Sequence, residues 1–161
     1  MSELSGVSGV SGALGGPGRA MGVDLGARRI GVAVSDDRRR VATALTVLAR
    51  GASMAEDHAR LAGLVGETGA KVVVVGLPLS LSGGFGPTAQ AVQGELATLR
   101  QALGVPVVAS DERFTTFIAR RALASGGRRR ALRREVLDHM AAAAILQTWL
   151  DKQRAGSLSE P

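Results

Sequence analysis

Cysteine is absent from all 161 residues. That excludes disulfides, thiolate nucleophiles and Cys-ligated metal, and it fits a reducing compartment. Aromatic residues are almost as scarce: Phe85, Phe114, Phe117 and Trp149, with no tyrosine, make up 2% of the chain. A module that stacks several unpaired bases on aromatic faces is therefore disfavoured, whereas binding through phosphate charge is not. No apolar run approaches the ~18 residues of a membrane-spanning helix. No G-x-x-x-x-G-K-[ST] motif is present, which argues against a P-loop NTPase, and no nucleophile elbow occurs either. Lysine is the last shortage. Of 20 cationic residues only Lys71 and Lys152 are lysine.

The remaining composition is that of a globular chain, with 45% hydrophobic and 21% charged residues, and the length suits one domain. The net charge of +6 is unevenly spread. Between Arg113 and Arg134 stand Arg113, Arg120, Arg121, Arg128, Arg129, Arg130, Arg133 and Arg134, with no acid among them. These eight leave the rest of the chain at −2. The protein carries one basic segment on a slightly acidic body.

Residues 1–19 are rich in Gly and Ser and read as a flexible tail without the charged start and apolar stretch of a secretory signal. Residues 153–161 read as a frayed end. Between them lies one expected domain, residues 20–152. Met21 to Leu25, Ile30 to Ser35 and Val41 to Leu48 read as three meandering strands, with turns at Gly26 and Asp36-Asp37. Ser53, with Glu56 three residues on, signals the start of a helix reaching Thr68. Lys71 to Leu77 contains an unbroken Val run, the mark of a strand buried on both faces. A helix from Pro87 to near Gly104, a strand from Val105 to Ser110, a helix from Thr115 or Thr116 to before Gly126, and a helix from Ala131 to Lys152 complete the order. This order, βββαβαβαα, predicts an α/β domain with a mixed five-stranded sheet and helices on both faces, the ribonuclease H-like arrangement. Actin-like ATPases use the same core in duplicate, so order alone does not select a function.

Three acidic positions carry the candidate chemistry. Asp24 lies among apolar residues in the expected central strand, where a carboxylate is costly without a cation or donors; the plainer alternative is a cap on the Gly26 turn. Asp111 and Glu112 follow the last strand, at the carboxyl end where α/β sheets gather ligands. Adjacent residues point to opposite faces, so one of the two can join Asp24. A salt bridge from either to Arg113 is the plainer alternative. Asp138 shares a helix face with Ala141, Ala142 and Ile145, and Arg134 lies one turn before it as the alternative partner. The alanine run 141–144 permits close approach to the sheet. Converging acids of this kind suit Mg2+ or Mn2+ and phosphodiester hydrolysis. The loops Gly76 to Ser80 and Ser82 to Pro87 offer backbone amides for a phosphate, or are plain connections. The arginines would hold a polyanion, or form only a solvated face. His58 and His139 lack ligand-like partners nearby in sequence.

Four ordered motifs resemble those of the YqgF family. They are Asp24-Leu25-Gly26-x-Arg28-Arg29-Ile30-Gly31-Val32-Ala33, Val75-Gly76-Leu77-Pro78-Leu79, Asp111-Glu112-Arg113-Phe114-Thr115-Thr116 and Asp138-x-x-Ala141-Ala142. This family comprises Holliday-junction-resolvase-like proteins also described as pre-16S ribosomal RNA processing nucleases. The resemblance spans about residues 20–151 and implies a ribonuclease H-like fold and metal-dependent phosphodiester cleavage. It carries the family's catalytic carboxylates onto Asp24, the Asp111-Glu112 pair and Asp138, with Asp24, Glu112 (or Asp111) and Asp138 as metal ligands. Ala27 stands where the family commonly has Thr, Phe114 replaces a usual Leu, and Ser80-Leu81-Ser82-Gly83-Gly84 lacks the usual Asn or acidic residues. The implied protein is a cytoplasmic Mg2+- or Mn2+-dependent nuclease maturing the 5′ end of 16S rRNA, with pre-rRNA or pre-ribosomal particles as partners, no membrane, and a monomeric or homodimeric state. A junction resolvase and a non-catalytic RNA-binding assembly factor are the competing expectations.

Overall fold

The computed structural model describes residues 18–77, 87–111 and 130–159. Asp111 and residues 130–139 enter that description through their backbone. Residues 1–17 of the expected tail 1–19, the loop 78–86 and the predicted helix after Thr115 lie outside it.

Five strands form one sheet: β1 (Ala20–Leu25), β2 (Arg29–Ser35), β3 (Ala42–Ala49), β4 (Val72–Leu77) and β5 (Val107–Asp111). Their spatial order is β3-β2-β1-β4-β5, with β1, β2 and β3 antiparallel and β1, β4 and β5 parallel. The meander-then-crossover reading is thus reproduced. Asp36 ends β2 with a side-chain cap, its Oδ1 accepting from the amides of Arg40 and Val41. The sheet edge β3 is largely exposed, and a register shift against Val32 and Ala33 leaves Leu45 as an extra residue. A bulged, twisted edge of this kind discourages strand addition.

Helices cover both faces. On one, α1 (Met54–Thr68) and α2 (Pro87–Ala102) bury Leu61, Val65, Val92, Leu96 and Leu99 against Met21, Val23, Ile30, Val73 and Val75. On the other, α3 (Arg130–Ser159) buries Ala142, Ile145, Leu146 and Trp149 against Ala20, Ala33, Val72 and Val74. The Val run serves both cores by alternation, which is why it shows no amphipathic period. The Ser53 cap forms as its sequence predicts, its Oγ accepting from the Glu56 amide at 3.1 Å. Glu56 reaches back to the Ala52 amide, one residue beyond the usual capping box.

Two boundaries differ from expectation. β5 starts two residues later than Val105, so Asp111 is its last residue rather than the first beyond it. Pro106 has no amide to give a ladder and contributes only its carbonyl, to Val73. The final helix continues past Lys152 to Ser159, so residues 153–159 are helical rather than frayed. Gln147 and Arg154 both bond Asp151 across one turn, and a single Gly156 costs only about 1 kcal/mol, too little to stop a helix.

The decisive packing contact is at Gly22. A Cβ there would lie 2.7 Å from the Ala142 carbonyl oxygen and 2.7 Å from Leu146 Cβ. The helix backbone thus rests directly on the central strand. Gly22→Ala should destabilise the fold by about 1–3 kcal/mol, since a backbone atom must move; unchanged stability in urea denaturation would refute this close approach.

Candidate active site at the carboxyl edge of the sheet

Because β1, β4 and β5 run parallel, their carboxyl ends share one edge. Val23 pairs with Val75, while Gly76 pairs with Ser110 and Leu77 with Asp111. Asp24, next after Val23, therefore stands beside the Gly76–Ser110 row. It is half-buried and lies on the α3 face, two residues on from Gly22. Asp111 belongs to the following row, whose Leu25 and Leu77 pack against the α1–α2 core. It is two strand spacings, about 9.5 Å, from β1.

The direction of α3 follows from Gln147. Its Oε1 accepts from the Ala42 amide and its Nε2 donates to the Arg40 carbonyl, at the level of Ser35. Ser35 Oγ accepts in turn from Ala20, the start of β1. Gln147 is thus near the beginning of β1 and Ala142 near its middle, so α3 runs antiparallel to β1. Position 138, one turn before Ala142 and on the stripe of Ala142, Ile145 and Trp149, comes towards the end where Asp24 stands. Glu112, Arg113, Arg120, Arg121, Arg128 and Arg129 lie outside the described residues. Arg130, Arg133 and Arg134 occupy the first turns of α3, the end nearest Asp24. Among the described residues no group of three or more His, Cys, Asp or Glu residues is arranged to hold a metal ion. Asp24 is the one acid of the expected set whose side chain is described, and its oxygen-only donor chemistry fits a hard cation.

A second polar cluster was not foreseen from sequence. Arg50, at the end of β3, forks onto Glu95 of α2, with Nη1–Oε2 at 2.7 Å and Nη2–Oε1 at 2.8 Å. Its Nη1 also reaches Asp57 Oδ2 at 3.3 Å, and its Nε donates to the Gly26 carbonyl at 2.9 Å. Asp57 accepts further from the Gly51 amide and Arg60, both at 2.7 Å. His58 Nε2 meets Glu95 Oε2 at 2.9 Å; because an ionised carboxylate only accepts, Nε2 carries the proton. Asp57, His58 and Glu95 are 2%, 1% and 6% exposed, so His58 is a buried structural partner rather than an isolated histidine. The signal available in sequence was weak, because Arg50 and Glu95 are 45 residues apart.

This sheet order, with helices on both faces and an acid near the end of its central strand, is the ribonuclease H-like class. The T. thermophilus RuvC solved in complex with a Holliday junction substrate shares the fold, with a TM-score of 0.54 at 17% identity over 86% of this chain and 96% of that one. The sequence model described as RuvX: Holliday junction resolvase matches residues 18–152, and the chain belongs to this family, also called YqgF. A Myxococcus xanthus (strain DK1622) protein named "Putative pre-16S rRNA nuclease" is 46% identical over 84% of this chain and 89% of its own length. A Geobacillus kaustophilus (strain HTA426) protein of the same name is 40% identical, over 84% of this chain and 99% of its own length. Among the described residues no helix is long and apolar enough to cross a membrane.

The buried cluster fixes a pH dependence. Burial pushes the Asp57 carboxyl up, but the Gly51 amide, Arg60 and Arg50 outweigh it and hold it below its ordinary 3.8. Burial also raises Glu95, and Arg50 with His58 outweighs that, leaving it below 4.5. Both groups therefore stabilise the fold fully above these ordinary values, and their contribution is lost as pH falls through the lower folded values. Denaturation midpoints should hold steady above about pH 5 and drop steeply below about pH 4. Glu95→Gln should cost about 3 kcal/mol at neutral pH and flatten part of that acid limb; an unaltered acid limb would remove Glu95 from the account.

Proposed function

We propose that this chain is a divalent-metal-dependent nuclease that hydrolyses phosphodiester bonds in maturing the 5′ end of 16S rRNA in the cytoplasm. The observation that carries the reading is Asp24 at the shared carboxyl edge of β1, β4 and β5, with α3 brought onto the same strand at Gly22. Asp24, Glu112 and Asp138 would hold Mg2+ or Mn2+. The pairing of Asp111 with Leu77 supports Glu112 over Asp111, because pleat alternation assigns Asp111 to the row opposite Asp24. Bound there, the ion supplies Lewis acidity to the phosphoryl group and a more acidic water.

The chain's own residues do the rest. Half-burial of Asp24 strengthens its attraction for a cation relative to water. Arg113, Arg120, Arg121, Arg128, Arg129, Arg130, Arg133 and Arg134 would neutralise substrate phosphates and set its path across the edge. The pre-16S substrate is supported by the names of the relatives at 40–46% identity. Cleavage of four-way DNA junctions is the second reading, favoured by the description of the family model; it calls for two symmetric cuts and hence a dimer.

Two measurements test this. Pre-16S fragments, single-stranded RNA, single-stranded DNA and junction DNA are incubated with Mg2+, Mn2+ or chelator. Cleavage of the pre-16S fragment should require metal, and Asp24→Asn should lower it by more than about 100-fold while the protein stays folded. Normal cutting by Asp24→Asn refutes the site, exclusive cutting of junctions selects the second reading, and RNA binding without cleavage or a saturable Mn2+ site selects an assembly factor. In the same assay, replacing Arg120 and Arg121 with Gln should flatten the dependence of log affinity on log salt by about 0.7 for each lost single-strand contact. An unchanged slope would remove these two arginines from the interface.

A further inference from the structure

The Arg50 cluster lies on the α1–α2 side of the sheet, yet one of its bonds reaches the end of the strand that bears Asp24. Leu25 and Gly26 follow Asp24 directly, and the Gly26 amide donates back to the Asp24 carbonyl at 3.1 Å. The turn is as tight as a backbone permits: a Cβ on Gly26 would sit 2.5 Å from the Arg29 carbonyl oxygen. The Gly26 carbonyl is held from outside the turn by Arg50 Nε. A second bond reaches the same turn, from the Arg50 amide to the Arg28 carbonyl at 2.9 Å. One guanidinium therefore clamps the turn after Asp24 and, through its other two nitrogens, is itself fixed by carboxylates on α2 and α1.

The geometry points to Arg50 as the positioning residue for Asp24, with Glu95 as the group that fixes Arg50. It rests on the nuclease reading above and deepens it. A guanidinium is suited to the role because its planar fork meets both Glu95 oxygens while Nε remains free to face Gly26. His58 Nε2 bonds the same Glu95 Oε2 that Arg50 Nη1 reaches, so the carboxylate cannot swing away without leaving that buried Nε2 unbonded. The turn is consequently referenced to α2 rather than left to strand-end fraying. Residues of this kind tune metal centres without touching the ion.

The test is Arg50→Lys with Arg60→Lys as its control. Lysine keeps a positive charge against Glu95 but cannot span both carboxylate oxygens and also give a proton to Gly26. Arg60 shares Asp57 and bonds the Ala49 carbonyl rather than the Gly26 turn. Mn2+ binding is followed by calorimetry on the full chain without substrate, and kcat and KM are measured on the preferred substrate. Arg50→Lys should bind Mn2+ about tenfold more weakly and lose about tenfold in kcat with KM unchanged. The Gly26 amide NMR resonance should move as well. Arg60→Lys should keep wild-type Mn2+ affinity and kcat even where its melting temperature falls. Should Arg50→Lys not fold, Glu95→Gln carries the same measurement. Wild-type Mn2+ affinity in a folded Arg50 or Glu95 variant overturns the proposal alone, as does an equal loss in Arg60→Lys. A wild-type protein without a saturable Mn2+ site overturns the nuclease reading and the proposal together.

Discussion

The rest of the molecule is arranged around a contact with no side chain on one partner: the α3 backbone at Ala142 against β1 at Gly22. A helix lying on a sheet ordinarily stands off by the thickness of its interdigitated side chains, near 10 Å. Removing the side chain from the strand and shortening it to a methyl on the helix closes part of that gap at one point. Everything nearer the sheet edge inherits the result. Gln147 fixes the other end of the contact by bonding Ala42 and Arg40, so α3 can neither slide along β1 nor reverse. The orientation of α3, and with it the approach of position 138 to Asp24, follows from these two anchors.

The two faces of the sheet are built on different physics. The α3 face is joined by small residues, with Ala20, Ala33 and Ala142 fully buried, and gains its hold by proximity. The α1–α2 face has larger apolar side chains and, at its rim, a knot of two buried carboxylates held by two partly exposed guanidiniums. Such a knot adds little net stability against an apolar equivalent, because desolvation offsets the attraction. What it provides is direction. The Arg50 fork permits one relative setting of β3, α1 and α2, whereas a patch of leucines would tolerate several. The chemistry proposed for the Asp24 edge needs that kind of definition, since ligands displaced by an ångström lose much of their effect.

Much of this was legible in the residues. The short strand-like runs of β1 and β2 bounded by Gly26 and Asp36-Asp37, the Ser53 cap, Pro87 at a helix start and the unbroken Val run are local signals, and each element formed close to its expected bounds. The fold class followed from their order. The Asp24 position was legible because an acid amid apolar neighbours demands a reason. What escaped was non-local or set by register. Arg50 and Glu95 meet across 45 residues and belong to no motif, so only the packed fold reveals that His58 has a partner. The face assigned to Asp111 depends on its pairing with Leu77, a register that no local signal supplies, and Pro106 separately delays the start of β5 by two residues beyond what hydrophobicity suggests. The extension of α3 depends on Asp151 bonding Gln147 and Arg154, a pair of spacings easily overlooked in a polar end.

One local rule is broken, and where it is broken is informative. The first turn of α3 contains no acid and begins with Arg130, with Arg133 and Arg134 close behind. Cations at a helix N-terminus oppose the macrodipole and the unsatisfied amides there, whereas an anion would be welcomed by both. A sequence under selection for stability alone would put Asp or Glu in these positions, as it does with Glu56 and Asp57 in α1. Because α3 runs antiparallel to β1, this charge falls at the Asp24 end of the sheet rather than at the Ala20 end. Cationic positions in the sequence and a helix N-terminus coincide here, and each favours a phosphate group. Such an arrangement is what the proposed nucleic-acid substrate would call for.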